Sequence, residues 1–229
     1  DVYKRQVWVP LLLTLKVAGW ATLLATVAGT AAAYGLSRWR WPGRDLLDAI
    51  LTLPLVLPPT VLGYYLLVLL GRRGVLGEKL AAWGIELVFT WQGAVIAASV
   101  VAFPLVFKSA RAAFENVDAQ LESAARVLGV CEAGVFFRVT LPLAARGIVA
   151  GVLLAFARAL GEFGATLMIA GNLPGRTQTL SVAIYEAVQA GDDATANFLV
   201  LVTSITCIVV LLAAGKLVPI SSSRRSGGA

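Results

Sequence analysis

The chain has 229 residues, 59% of them apolar and only 14% charged, with 19 Lys and Arg against 13 Asp and Glu for a net charge of +6. Soluble domains are nearer half apolar and a quarter charged, so a soluble fold is not expected. Histidine is absent and the only cysteines, Cys131 and Cys207, are far apart; the commonest general base is missing, and neither a catalytic site, a metal site nor a disulfide framework is expected.

The apolar residues fall in five blocks, 12–37, 47–70, 91–112, 146–171 and 196–218. A helix of about 20 residues crosses ~30 Å of hydrocarbon. The pattern predicts an all-α polytopic transmembrane bundle of about five spans in a lipid bilayer. Residues 1–220 read as a single transmembrane domain and 221–229 as a disordered cytoplasmic tail. Positive charge sorts by loop: Arg38, Arg40 and Arg44 after span one, Lys108, Arg111, Arg126, Arg138 and Arg146 around the third loop, Lys216, Arg224 and Arg225 after span five. The alternate loops balance Arg72, Arg73 and Lys79 against Glu78 and Glu86, and Arg176 against Glu186, Asp192 and Asp193. The positive-inside rule then places the N-terminus outside and the C-terminus in the cytoplasm. No basic face forms, so nucleic acid is not an expected partner.

In span one, Ala21, Ala25, Gly29 and Ala33 recur every fourth residue and form a small ridge for close helix packing. In span two, Pro54, Pro58 and Pro59 lack N–H groups and free the carbonyls of Ile50, Pro54 and Leu55. Freed backbone at membrane depth needs protein or a water-filled cavity to receive it, so these prolines are either candidates for a translocation pathway or a packing kink. Segment 71–90 predicts a short interfacial helix around Trp83. No G-x-x-x-x-G-K-[ST] phosphate loop occurs in the chain. If transport is ATP-driven, a separate subunit must hold the nucleotide.

Between spans three and four, 115–142 reads as a cytoplasmic elbow. Asn116 or Asp118 caps a helix that carries Leu121, Ala124, Ala125 and Leu128 on one face, Gly129 turns the chain, and a second short helix holds Val130–Arg138 before Leu141-Pro142 leads into span four. Its apolar content exceeds what a solvated loop needs.

The spacing of Glu122, Ala124, Ala125, Gly129, Val139, Leu141 and Pro142 resembles the EAA loop of ATP-binding-cassette importer permeases. Ser123 stands where that family usually has glutamate, and Glu122 lies one place earlier. The stretches PLVLPPTVLGYYLL, GRRGVLGE, ARALGEFGAT and LPGRTQT with IYEAVQ look like the molybdate permeases of the oxyanion branch. The resemblance implies a MetI-like fold working as a homodimer in the bacterial inner membrane. It also implies two ATP-binding subunits docked on the EAA loops, an external molybdate-binding protein, and no cofactor in this chain beyond the ATP held by its partners. Sulfate, thiosulfate or tungstate permeases are the near alternative, and an ion-gradient-driven transporter the distant one.

Span four carries Arg158 and Glu162, four apart on one helix face. Each charge at mid-membrane costs ~2.5–3.5 kcal/mol on insertion scales, so it needs a partner or a cavity. Two readings fit: Arg158 attracts a passing oxyanion, with Thr166 offering a hydroxyl, or the two charges neutralise one another and brace the fold. The brace is favoured, because a paired arginine retains little attraction for an anion. Gly147, Gly151, Ala155 and Ala159 form a ridge on this span, suited to close packing or a homodimer axis.

Overall fold

A computed structural model describes the backbone of residues 2–38 and 42–217 and the side chains of residues 7–38 and 42–213. Arg40, Arg224, Arg225, the side chain of Lys216 and the tail 221–229 lie outside them. The described residues are helical with no strand: α1 Val2–Arg38, α2 Arg44–Val56, α3 Pro59–Leu70, α4 Val75–Ala82, α5 Trp91–Glu115, α6 Ala119–Val127, α7 Glu132–Val135, a π-helical turn Phe136–Thr140, α8 Leu141–Leu160, α9 Gly164–Ala170, α10 Leu180–Gln189 and α11 Asp193–Leu217.

The core is built on α5. Its Ala94, Ala97, Ala98, Ala102 and Ala110 are fully buried, which lets neighbours approach its backbone. The small ridge of α1 packs there: Ala21, Ala25 and Ala33 are buried, and a Cβ on Gly29 would lie 3.1 Å from the Val106 side chain. Lys16 of α1 sits 3.5 Å from the Trp91 ring centre at the start of α5, and Gly29 meets Val106 further along both, so the two helices run parallel. The ridge of α8 packs on a neighbouring face of α5, so that α1 and α8 also touch. A Cβ on Gly147 would lie 2.6 Å from the Ala113 Cβ, and one on Gly151 2.6 Å from the Ser109 Cβ. Gly147 and Gly151 therefore serve helix packing within the chain, not a homodimer axis.

Four helices are long and apolar enough to cross a membrane, Val7–Arg38, Trp91–Glu115, Glu132–Leu160 and Asp193–Ala213, and α2 with α3 together meet the same measure as a broken span or a re-entrant loop bent by 111°. The bend falls at Leu57, whose ψ of 139 is extended, as a residue before proline prefers. Pro59 opens α3 at its first turn, where a missing N–H costs nothing. Pro54 lies inside α2 and breaks nothing.

The fourth span differs from the block 146–171. It begins at Glu132 and stops at Leu160. The second elbow helix is therefore the lower end of the span itself. Pro142 does not interrupt it: the π-helical turn adds one residue, and the Leu141 N–H reaches back to the Phe136 carbonyl. Beyond Leu160 the chain breaks at Gly161–Phe163 and resumes as α9. The two breaks adjoin. A Cβ on Gly164 would lie 3.2 Å from the Pro59 Cβ, and one on Gly63 only 2.7 Å from the Met168 Cβ. At Gly63 only glycine allows such an approach, while a Cβ at Gly164 would require its neighbours to give way. The short helix α4 ends at Trp83, which is 83% exposed and suited to a membrane interface.

Candidate coupling elbow and intramembrane charge pair

Helix α6 is short and needs its caps. The Asp118 carboxylate accepts the Gln120 N–H at 2.8 Å, so the nearer of the two cap candidates serves. At the other end, Gly129 N–H reaches the Arg126 carbonyl and Val130 N–H the Ala125 carbonyl, at 2.9 and 3.1 Å. This is a Schellman closure, which requires the left-handed φ of +83 that Gly129 adopts. Across the turn, the Arg126 guanidinium binds both oxygens of Glu132 at 2.7 and 3.2 Å. The elbow is thus locally self-sufficient.

Its outward surface is apolar. Val127 is 87% exposed and Leu128 83%, and Leu121, Ala124, Gly129 and Phe137 are exposed beside them. Ala125 and Val139 are half-buried, Leu141 is half-buried and Pro142 exposed. Such a cluster on a solvated projection marks a contact surface.

Glu122 does not belong to that surface. It is 2% exposed and faces the membrane domain. The Arg38 guanidinium donates one N–H to Oε2 at 2.6 Å and another to Oε1, and the Thr140 hydroxyl donates to Oε1 at 2.6 Å. The paired guanidinium first, and the Thr140 hydroxyl after it, hold the Glu122 carboxyl below the usual carboxylate range, against the opposing effect of burial. By spacing alone Glu122 groups with the docking residues, Arg38 is one of several loop charges, and Thr140 is a spacer before Leu141-Pro142. The only signal in the sequence is an acid lying out of register with its alanines.

A second network on the same face joins α2 to α5. Asp48 accepts from Lys108 at 2.6 Å and from Arg111, and Glu115 accepts from Arg111 at 3.0 Å and from Arg44. It anchors the bent second span at its elbow end.

Arg158 and Glu162 lie about 30 Å further along, at 1.5 Å per residue. Their ion contact is 2.7 Å, with Glu162 2% and Arg158 33% exposed. The contact is out of hydrogen-bond alignment at Oε2, while Oε1 accepts the Ala165 N–H at 2.8 Å. Glu162 thus neutralises Arg158 and caps the first turn of α9. Thr166 is buried at 1% exposure. Pro59 adjoins this region through Gly164, whereas Pro54 lines a separate apolar cavity of about 270 Å³ with Leu24, Ala28, Ile50 and Phe103. Pro58 is exposed at the bend. The pathway candidates thus divide into a group at the two breaks and Pro54 apart from it. Among the described residues, no three His, Cys, Asp or Glu side chains gather as metal ligands.

A helical bundle with two broken spans and a projecting apolar elbow defines a membrane transport component. The chain belongs to the family of binding-protein-dependent transport system inner membrane components, whose pattern matches residues 21–226. It is 47% identical to the molybdenum transport system permease protein ModB of Escherichia coli K12 over 219 residues, covering 95% of this chain and 96% of that one. It is 42% identical to ModB of Haemophilus influenzae, covering 87% and 89% of the two chains. The putative molybdenum transport system permease protein YvgM of Bacillus subtilis is also 42% identical, with 92% and 91% covered. Among solved structures, an inward-facing MetNI methionine ABC transporter matches in fold with a TM-score of 0.72 at 18% identity, covering 93% and 94% of the two chains. A bacterial alginate ABC importer gives 0.73 at 18% identity, covering 93% and 78%.

Proposed function

We propose that this chain is the membrane-spanning permease subunit of an ATP-binding-cassette importer that carries molybdate into the cytoplasm. The observation that carries the reading is the elbow: a capped, apolar projection whose residues Ala124, Ala125, Gly129, Val139, Leu141 and Pro142 keep the EAA spacing, on a chain that aligns along nearly its whole length with molybdenum permeases. In this reading the elbow faces the cytoplasm, the chain pairs with a second copy, and two ATP-binding subunits seat their grooves on Val127 and Leu128. Nucleotide is bound by those subunits, and an external molybdate-binding protein delivers the anion. Closure of the ATP-binding pair moves the elbows, and the spans alternate between outward and inward access.

Arg158 with Glu162 acts as a brace that fixes the break after α8, next to the Pro58-Pro59 bend. The adjoining breaks are the natural place for a pathway wall to move, since neither helix is continuous there. The permease need not hold the anion tightly, because only differential affinity shifts a conformational equilibrium.

The test is reconstitution. Co-purification with a candidate ATP-binding subunit, followed by ATPase measurement in liposomes, should show hydrolysis stimulated by the molybdate-loaded binding protein. Labelled molybdate uptake should persist against an equal concentration of sulfate; a block by sulfate reassigns the substrate to the sulfate branch.

A further inference from the structure

Three parts of the chain meet at one carboxylate. Glu122 stands on the first elbow helix, Arg38 is the last residue of α1, and Thr140 closes the π-helical turn at the root of α8. Glu122 is 2% exposed and Thr140 fully buried. Both carboxylate oxygens are engaged, so Glu122 cannot shift toward a new partner without stranding a buried charge.

The π-helical turn has a part in this. One inserted residue rotates the rest of the helix by about 100° relative to a continuous α-helix, and this turn ends on Thr140, beside Glu122. An aromatic layer lies alongside. The Tyr34 ring centre is 4.5 Å from that of Phe136 and 5.4 Å from that of Phe114, and the Arg38 guanidinium lies 5.3 Å from the Tyr34 ring centre. The ion pair and the rings join α1, α5, the elbow and α8. Gly129, where a Cβ would meet nothing within 4 Å, is the open joint between the two limbs of the elbow, and Arg126–Glu132 bridges it.

We propose that Arg38, Glu122 and Thr140 form an internal clasp that makes the elbow, the end of α1 and the root of α8 one rigid transmission unit. Glu122 is then a positioning residue that acts from inside, and the contact with the ATP-binding subunit belongs to Val127 and Leu128. The proposal rests on the coupling function argued above, because a rigid unit transmits only when something displaces it. The alternative is a clasp that opens in each cycle, with the elbow swinging about Gly129 while α1 stays in place.

Covalent locking separates the two. In a background with Cys131→Ala and Cys207→Ala, Arg38→Cys and Glu122→Cys are joined by bifunctional thiosulfonates of graded length. The complete transporter, with its ATP-binding subunits and external binding protein, is then assayed in proteoliposomes for molybdate taken up per ATP hydrolysed. Unlinked, the double variant should hydrolyse ATP with a several-fold lower uptake per ATP; linked, the ratio should recover. Linking that blocks uptake shows relative motion and overturns the proposal. A paired test avoids removal of the charges: Thr140→Val should lower uptake per ATP and Thr140→Ser should restore it, whereas an unchanged ratio in Thr140→Val overturns the proposal. If the parent protein without cysteines shows no ATP-dependent uptake, the coupling function itself fails, a result distinct from either outcome.

Discussion

At the scale of single residues, the chemistry of the elbow rests on one buried acid and one glycine. Replacing Arg38 with alanine leaves Glu122 buried with the Thr140 hydroxyl as its one close donor and the Arg126 guanidinium 4.0 Å away. Breaking a buried pair costs about 3 kcal/mol at the low end of the usual range, appropriate here because Arg38 is 35% exposed. The expected result is a lower unfolding temperature of the purified permease in detergent. The folded carboxyl titrates below its unfolded value, so its stabilising contribution is complete above about pH 4, where the unfolded group titrates, and disappears as pH falls through the depressed folded value. Unfolding followed down to acid pH should show that loss in the parent and a smaller one in Glu122→Gln. At Gly129 the constraint is backbone alone: φ is +83 and a Cβ would meet nothing. Gly129→Val should cost about 1–2 kcal/mol and abolish coupled uptake, while Gly129→Asn, which tolerates the left-handed region, should retain most of it. Unchanged ATP-dependent uptake in Gly129→Val would remove the elbow from the mechanism.

At the scale of elements, α5 is the axle, and α1 and α8 lie against it on ridges of small residues. Gly151→Val would drive methyl groups into Ser109, whose Cβ is already 2.6 Å from an ideal Cβ at that position. Overpacking of this kind costs about 1–3 kcal/mol, and a thermal shift assay should register it with no change in oligomeric state. A variant that keeps its melting temperature but loses dimerisation would return the ridge to the homodimer axis. The break after α8 supports a second argument. Glu162 caps α9 through Ala165 and neutralises Arg158, so Glu162→Gln should lower stability with little change in the KM for uptake. A raised KM at unchanged stability would mean that Arg158 meets the anion instead.

At the scale of the whole molecule, this chain is one part of a pump. Its elbow presents exposed apolar side chains, the Arg158–Glu162 charges are internally paired, and the sequence contains no phosphate loop. Uptake in reconstituted vesicles should therefore require ATP and the ATP-binding subunit, and should survive collapse of proton and sodium gradients. Uptake driven by a gradient without ATP would place the chain among secondary transporters.

The number of membrane crossings, the ridge on α1, the elbow and its glycine were legible along the chain. Each rests on local facts: about 20 apolar residues span a bilayer, small residues four apart share a face, and a left-handed turn selects glycine. Contacts between elements were not legible. Glu122 stood among docking residues, yet its fate depended on Arg38 and Thr140, which only folding brings to it. The ridge on α8 suited a neighbour in another chain equally well until α5 was seen to fill it. The break after Leu160 and the continuity through Pro142 went unread for the same reason: the carboxylate of Glu162 supports one and a π-helical turn the other. Sequence alone determined that a helical chain with an elbow crosses the membrane, because hydrophobicity and backbone preference act along the chain; that the chain is a permease came from its resemblance to a family. The tertiary structure decided which side chains hold the elbow to the spans, because a buried charge takes its role from whatever partner the fold supplies.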